Sequence, residues 1–337
     1  MKKTPLIIIM FLVVNLCQAQ TFEETMKKAK LGNAEAQNSL GFMYSKGIGT
    51  SVNNEEAFHW FMRSAEQGSA MGQRNFGIMY YEGFGTLKND SLAFYWFKKS
   101  AEQGDEQAQN LLGYMYAKGL GTIVNDKEAF YWLMKSAEKG DANAQNNLGN
   151  MYYTEDATPE DKKQAFYWYK KSAEQGCASA QNTLGSMYVI GDGVPIDATE
   201  AFHWFKKSAK QDNAEAQRKL AQSFANGIGT LKNDSLAFHW YQKSAEQGDP
   251  IAQYNLGLMF FKGEGTFLNY ERSLYWFDKG AQQGISGAQD MLGIQYALGL
   301  GTKIDNRKAA FWVEKSLNTG DEKAKEIWNE FELYKYK

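Results

Sequence analysis

Apolar positions in this chain follow a helical period in short segments that are separated by glycine-rich turns. In the segment 34–46, Ala36, Leu40 and Met43 are spaced so that they lie on one face of a helix. A second amphipathic segment, residues 55–67, follows after the turn and ends at a glycine. The pattern therefore predicts a pair of helices joined by a short turn.

This predicted helix pair recurs every 36 residues. A tryptophan marks the second helix of each copy, at positions 60, 96, 132, 168, 204, 240, 276 and 312. Residues 33–320 form eight such units without an insertion or deletion, and residues 85–94 and 229–238 are identical. The identical segments lie four units apart, which indicates that a block of four repeats was duplicated.

The ends of the predicted helices have recognisable signals. Asn33 is a predicted N-cap, and Gly47 is the predicted end of the first helix. Gly41 lies in the middle of that helix, where glycine costs roughly 1 kcal/mol relative to alanine. Its recurrence in most repeats indicates that a neighbouring aromatic side chain approaches closely there. A glutamine also recurs once per repeat, at positions 37, 73, 109, 145, 181, 217, 253 and 289.

A single unit of this kind cannot bury its apolar face alone, so the units are expected to stack into a solenoid. We therefore expect one continuous all-α array of about eight repeats rather than two globular domains. Residues 20–32 are expected to form an N-terminal capping helix, and residues 321–337 a C-terminal capping helix.

The N-terminal segment 1–19 has the pattern of a secretory signal peptide. Lys2 and Lys3 precede the apolar run 6–14, which is too short to span a bilayer, and small residues lead to an expected cleavage after Ala19. The mature chain is therefore expected to be periplasmic or secreted.

The two cysteines add little to this picture. A lipoprotein signal at Cys17 is the alternative for the leader, although Leu16 stands where such signals carry a small residue. After cleavage only Cys177 remains, so no internal disulfide can form. Cys177 takes the position before a first helix, where either a reactive thiolate or neutral drift would explain it.

Charge and composition exclude some classes of function. The net charge is −2, and only five of the 37 basic residues are arginine, so we expect no nucleic-acid partner. No segment after the leader is apolar enough to be transmembrane.

The repeat resembles the Sel-one-like repeat, a relative of the tetratricopeptide repeat. The resemblance covers nearly all of the mature chain and implies a right-handed α/α superhelical solenoid that serves as a non-catalytic scaffold for protein interaction, with no cofactor. Two repeats depart from the pattern: residues 155–158 lack the Gly-x-Gly-Thr turn, and Ala221 and Ser223 replace Gly and Met. The residues that carry the resemblance are Ala36-Gln37, Leu40-Gly41, Met43-Tyr44, Gly47-x-Gly49, Ala57, Trp60 and Ala65-x-Gln67-Gly68.

Apparent catalytic motifs have simpler explanations. His59, His203 and His239 all occupy the aromatic position before the tryptophan, which favours packing over metal binding. The Gly-x-Gly-Thr segments are turns between helices rather than phosphate loops. Residues 136–139 match the Ser-x-x-Lys pattern of penicillin-recognising enzymes, but the accompanying Ser-Asp-Asn and Lys-Thr-Gly motifs are absent.

The candidate binding site is one position of the first helices, the residue that directly follows the recurring glutamine of each repeat. We call the residues at this position the candidate column. In tetratricopeptide-like arrays the first helices line the concave groove, and this column would face solvent there. Asparagine suits the backbone of an extended peptide and arginine suits a carboxylate; alternatively, these side chains bond only to neighbouring helices of the scaffold. The candidate residues are Asn38, Arg74, Asn110, Asn146, Asn182 and Arg218.

Three functions compete at this point. We expect a non-catalytic interaction protein of the cell envelope that binds a protein or peptide in the groove. The alternative is an immunity or inhibitor protein that neutralises a toxin or effector. An envelope hydrolase of β-lactamase type is the third hypothesis.

Overall fold

The computed structural model describes residues 20–336, and the leader 1–19 lies outside them. The described residues form helices and turns, without a strand among them. They divide into two compact units, of which one ends at Thr154 and the other begins at Glu155. The helices of the N-terminal unit are α1 (20–30), α2 (Ala34–Lys46), α3 (Asn54–Glu66), α4 (Ala70–Glu82), α5 (Asp90–Glu102), α6 (Glu106–Lys118), α7 (Asp126–Lys139) and α8 (Ala142–Tyr152).

The C-terminal unit continues the same alternation of first and second helices. Its α-helices are α9 (Pro159–Glu174), α10 (Ala178–Ile190), α11 (Ala198–Ala209), α12 (Ala214–Asn226), α13 (Asp234–Glu246), α14 (Pro250–Lys262), α15 (Tyr270–Gln282), α16 (Ser286–Leu298), α17 (Asn306–Leu317) and α18 (Glu322–Glu330). A short 3₁₀ helix, Leu333–Tyr336, follows them. Within each unit every helix packs against the next in the chain, so the predicted all-α solenoid of helix pairs is confirmed.

The predicted helix signals act as expected. The side chain of Asn33 accepts a hydrogen bond from the backbone N–H of Ala36 at 2.7 Å, which satisfies a free donor of the first turn. Gly47 ends α2 with a φ of 69°, a left-handed conformation that suits glycine. The second helix of this repeat, α3, begins and ends one residue earlier than predicted. Cys177 takes the N-cap position of α10 without a side-chain cap hydrogen bond.

The glycine in the middle of most first helices admits a side chain from the second helix of the same repeat. A Cβ atom on Gly77 would lie 2.7 Å from the ring of Phe97, and one on Gly257 would lie 2.6 Å from that of Phe277. The helix propensity lost at these glycines is therefore exchanged for close helix packing, as predicted.

A buried glutamine ladder connects consecutive helices. The Gln109 side-chain amide donates to the carbonyl oxygen of Ala101 at 3.1 Å, and so joins α6 to the helix before it. The Gln103 amide donates to Gln73 Oε1 at 2.7 Å and joins the two helices of one repeat. The first of these bonds recurs at Gln37, Gln73, Gln145, Gln181, Gln217, Gln253 and Gln289.

The Gly-x-Gly turn holds one repeat against the one before it. Gly121 has a φ of 65°, and a Cβ atom there would lie 2.2 Å from the carbonyl oxygen of Asp90, at the start of α5. Only glycine fits a left-handed backbone that rests on another backbone in this way. The second glycine of the turn is therefore an inter-repeat contact as well as a turn residue.

The fourth repeat departs from the others, as its missing turn predicts. Helix α8 has 11 residues, where the other first helices have 13. Helix α9 has 16 residues and begins with a capping box between Thr158 and Asp161. Residues 20–30 are helical, and α18 with the 3₁₀ helix ends the described chain. That these terminal segments cap the array stays a prediction.

Candidate interaction face on the first helices

Two asparagines of the candidate column bond to the next first helix in their unit. Asn38 Oδ1 accepts a hydrogen bond from the Asn75 side-chain amide at 2.8 Å, and Asn110 accepts one from Asn147 at 2.9 Å. Asn146 is half-buried. Asn38 and Asn110 therefore hold neighbouring first helices together, which is the scaffold alternative for this column.

The two arginines of the column pair with carboxylates that cap the next first helix. Arg74 Nη1 lies 2.7 Å from Asp105 Oδ2, and Arg218 Nε lies 3.1 Å from Asp249 Oδ2. Asp105 also accepts the N-cap hydrogen bond from Ala108 at 2.8 Å. Because the arginine side chains are only 16% exposed, these contacts restrict what the guanidinium groups can offer a partner.

Asn182 belongs to a partly buried polar network between α10 and α12. Asn182 is 7% exposed, and its side-chain amide donates a hydrogen bond to Glu215 Oε2 at 2.9 Å. Lys219 Nζ lies 2.8 Å from Glu215 and donates to the Ser186 hydroxyl at 2.7 Å. Burial opposes ionisation of Glu215, but Lys219, Asn182 and Arg218 outweigh it and lower the pKa of this carboxyl. The expectation that the column faces solvent is therefore wrong for Asn182.

An apolar groove lies between α10 and α12 in the C-terminal unit. It has a volume of about 300 Å³, and Val189, Ile190, Phe205 and Ile228 form its apolar walls. Ser223 lines it at the position where most first helices carry methionine, so the shorter side chain leaves space that methionine would fill.

A second, more polar groove lies on the other side of α12. Its volume is about 570 Å³, and it shares Arg218 and Gln222 with the apolar groove. Tyr241 lines it and is 5% exposed, and burial raises the pKa of this hydroxyl to about 12. The two grooves together form one surface across α10, α12 and α14.

The N-terminal unit has its own groove, which its first helices help to line. Its volume is about 670 Å³, and it is lined by Thr21, Thr25, Asn38, Ser39, Phe42, Met43, Arg74, Asn75 and Gln107. Asn38, Arg74 and Arg218 thus line grooves, whereas Asn110, Asn146 and Asn182 line none of those described. Sequence reasoning named Ser223 as a departure from the repeat but did not place Ser223, Gln222 or Ile228 in a binding site. The replacement of methionine by serine was the signal that could have located them.

In the last repeat the column position of Arg74 and Arg218 is taken by Asp290. An acidic side chain, rather than an arginine, is therefore close to the N-cap carboxylate of α18, Asp321. Asp290 is 5% exposed, and burial, together with the nearby Asp321, raises its pKa to about 6, although Ser316 and Lys323 oppose the shift. The unfolded chain ionises this group near its ordinary value of 3.8, whereas the folded chain keeps the proton up to about pH 6. Ionisation of Asp290 therefore destabilises the fold progressively as the pH rises from about 4, and the loss reaches up to roughly 3 kcal/mol above pH 7.

Replacing Asp290 with asparagine is expected to remove this penalty. Asp290→Asn should raise the free energy of unfolding of the C-terminal unit at pH 7.5 by up to roughly 3 kcal/mol, and should change it little at pH 4. Urea unfolding of both proteins at the two pH values measures the difference. A gain of equal size at both pH values would contradict the assignment to ionisation.

The remaining candidate residues have structural surroundings. His59, His203 and His239 each contact the following tryptophan edge to face, at ring distances of 5.2–5.6 Å. Across residues 20–336, no three His, Cys, Asp or Glu side chains gather as a metal site would require. None of the helices described there is long and apolar enough to cross a bilayer.

Stacked helix pairs with grooves along their first helices define a helical-repeat protein, a class that typically acts as a non-catalytic scaffold for protein interaction. The family model described as the Sel1 repeat matches eight consecutive segments of the chain: residues 34–69, 70–105, 106–141, 142–177, 178–213, 214–249, 250–285 and 286–321. The chain therefore belongs to the Sel1 repeat family, as the sequence predicted.

Two solved structures illustrate this similarity. A protective antigen of uropathogenic Escherichia coli strains, which displays an SLR fold, is 34% identical over 93% of this chain and 75% of its own, with a TM-score of 0.57. A Sel1 repeat protein from Oxalobacter formigenes is 29% identical over 91% of this chain and 89% of its own, with a TM-score of 0.63. No curated protein sequence matches the chain significantly.

Proposed function

We propose that the chain is a non-catalytic scaffold of the bacterial cell envelope that binds a protein or peptide partner along its first helices. The observation that carries this proposal is the pair of grooves that share Arg218 and Gln222. The apolar groove suits a large side chain of the partner, and the polar groove beside it offers amide, hydroxyl and charged groups to the adjoining backbone.

Refilling the apolar groove tests this proposal. Ser223→Met restores the side chain that Met187 and Met259 place at the same position of neighbouring repeats, so the variant should fold. A photo-crosslinking amino acid at Ile190, a 57% exposed residue of the groove wall, should capture a discrete partner in the protein's own cell. The same probe at Tyr275, 54% exposed on the second helix α15, is the matched control.

The proposal predicts adducts from position 190 that are absent from position 275. These adducts should fall at least fivefold when Ser223→Met is added, while the melting temperature is unchanged. Adducts that persist with the groove filled, or that form equally at both positions, would contradict it. Mass spectrometry of the adduct identifies the partner and separates a toxin, which an immunity protein would bind, from an envelope component.

The location in the envelope is proposed from the leader pattern. Lys2, Lys3 and the apolar run 6–14 support export, with cleavage after Ala19. The intact mass of the protein recovered outside the cytoplasm should correspond to a chain that begins at Gln20. Recovery of the uncleaved chain in the cytoplasm alone would refute this part of the proposal.

A further inference from the structure

Helix α16 has a buried carboxyl group at the candidate-column position. Asp290 is 5% exposed, and its Oδ1 atom accepts no hydrogen bond from any described residue. A carboxyl group in such surroundings is tolerated while it is neutral, but a charge on it is costly because burial removes the water that would solvate it. The charge of Asp290 therefore affects how firmly the elements that cover it can stay in place.

The group opposite Asp290 is also acidic. Arg74 and Arg218 each pair with an aspartate 31 residues later, the N-cap of the following first helix. Asp321 stands 31 residues after Asp290 and is the N-cap of α18, where it accepts a hydrogen bond from the backbone N–H of Lys323 at 3.0 Å. The attraction that joins helices at this position elsewhere is thus replaced by a repulsion once Asp290 is ionised.

Asp290 is enclosed by side chains from three helices. They are Tyr254 of α14, Ser316 of α17, and Asp321 and Lys323 at the start of α18. Burial raises the pKa of Asp290 to about 6, and Asp321 acts in the same direction, whereas the Ser316 hydroxyl and Lys323 oppose the shift. No described residue of α15, which also packs against α16, acts on this carboxyl. Asp290 is therefore the group of this cluster that changes its charge near pH 6.

Helix α18 is the least firmly held of the elements that enclose Asp290. Ala324 is the one buried residue of this helix, whereas α17 buries four residues and α14 six. Leu333 of the 3₁₀ helix adds a second apolar anchor. In the described part of the chain no further α-helix follows α18. Its separation from α16 therefore gives water access to Asp290 at a lower cost than unfolding of a repeat.

We propose that residues 321–336 form a pH-dependent cap, which packs on α16 and α17 while Asp290 is protonated and separates from them when Asp290 is ionised. In the packed state Ala324 and Leu333 lie in one apolar cluster with Ala310 and Val313 of α17. Separation exposes this surface of α17. The pH therefore controls whether the C-terminal end of the unit is covered.

The direction and size of the effect follow from the two states of the cap. In the packed state the pKa of Asp290 is about 6, and in the separated state water restores it towards the ordinary value of 3.8. The packed state therefore binds the proton more tightly, and the equilibrium shifts towards separation as the pH rises above about 4. For these two pKa values the equilibrium constant for separation increases about 25-fold between pH 4.5 and pH 7.5.

Hydrogen exchange of the purified protein, followed by mass spectrometry at pH 4.5 and pH 7.5, tests this proposal. Each rate is divided by the intrinsic exchange rate at the same pH. In the wild type the protection of residues 321–336 should fall at least tenfold between the two pH values. It should also stay at least tenfold below the protection of α15 at both, because the cap opens without unfolding of the repeat before it.

Two variants identify the group responsible. Asp290→Asn should remove the pH dependence of the cap, since the amide stays neutral, and it should fold, since Asn182 is buried to 7% exposure at the same column position. Glu322→Gln changes an exposed carboxyl group on α18 and should behave as the wild type does.

Three results would overturn the proposal. The first is a wild type whose protection at residues 321–336 is the same at both pH values. The second is an Asp290→Asn variant that keeps the wild-type dependence on pH. The third is equal protection of the cap and of α15, which would show that the C-terminal unit unfolds as a whole. Cross-linking from Ile190 reports on the first-helix grooves separately, so the two proposals can fail independently.

Discussion

Replacing Trp132 with alanine is expected to lower the free energy of unfolding of the N-terminal unit by about 3–5 kcal/mol. Trp132 is 8% exposed, packs in a cluster with Phe97 and Leu112, and donates from Nε1 to Glu128 at 3.1 Å. Truncation therefore leaves a cavity where two repeats meet. Urea unfolding gives the total loss, and hydrogen exchange should place it in α5, α6 and α7.

The neighbouring aromatic residue is the control for that prediction. Tyr131 lies beside Trp132 on α7 but is 48% exposed, so its replacement by alanine removes little buried surface. Tyr131→Ala is expected to cost about 1 kcal/mol or less. Equal losses from the two substitutions would show that the tryptophan column does not hold the repeats together.

Replacing Gly121 with alanine is expected to cost about 3 kcal/mol or more. The φ of 65° alone costs an L-residue roughly 1–2 kcal/mol, and the new Cβ atom would lie 2.2 Å from the backbone oxygen of Asp90. Neither backbone can move without separating the two repeats. The measurement is the melting temperature of the variant, together with hydrogen exchange at the start of α5.

Gly140 provides the matched comparison. It also has a left-handed backbone, with a φ of 105°, but nothing lies within 4 Å of the position a Cβ atom would take. Gly140→Ala should therefore cost only the conformational part, roughly 1–2 kcal/mol. If both variants lost the same stability, the contact between Gly121 and α5 would contribute nothing.

The helix pairs could be predicted because their signals are local. The caps Asn33 and Gly47 satisfy backbone groups within a few residues, and the apolar face of α2 is read directly from its spacing. The stacking of the helix pairs could then be predicted from their regular repetition, because each unit exposes an apolar face that only a neighbouring unit can cover. Both inferences needed no knowledge of distant contacts.

The polar contacts between helices could not be predicted in the same way. Gln109 bonds to a carbonyl eight residues earlier, and Arg74 pairs with a carboxylate 31 residues later, so neither partner lies within one helical turn. A signal was nevertheless present, because both arginines of the column are followed 31 residues later by aspartate, at Asp105 and Asp249. The apolar groove depends on Ser223: the replacement of methionine by serine is visible in the sequence, but the space that it leaves depends on how α10 and α12 pack.

The glutamine ladder also has a mechanical consequence. Each bond of the ladder joins a helix only to its neighbours in the chain, as between Gln73 and Ala65 or between Gln109 and Ala101. A molecule pulled from its two termini would therefore bear the load through links that lie in series and are nearly identical. It should lengthen in steps as single repeats peel away, each releasing about 120 Å of extended chain. Such a molecule would act as an extensible tether between the points at which it is held.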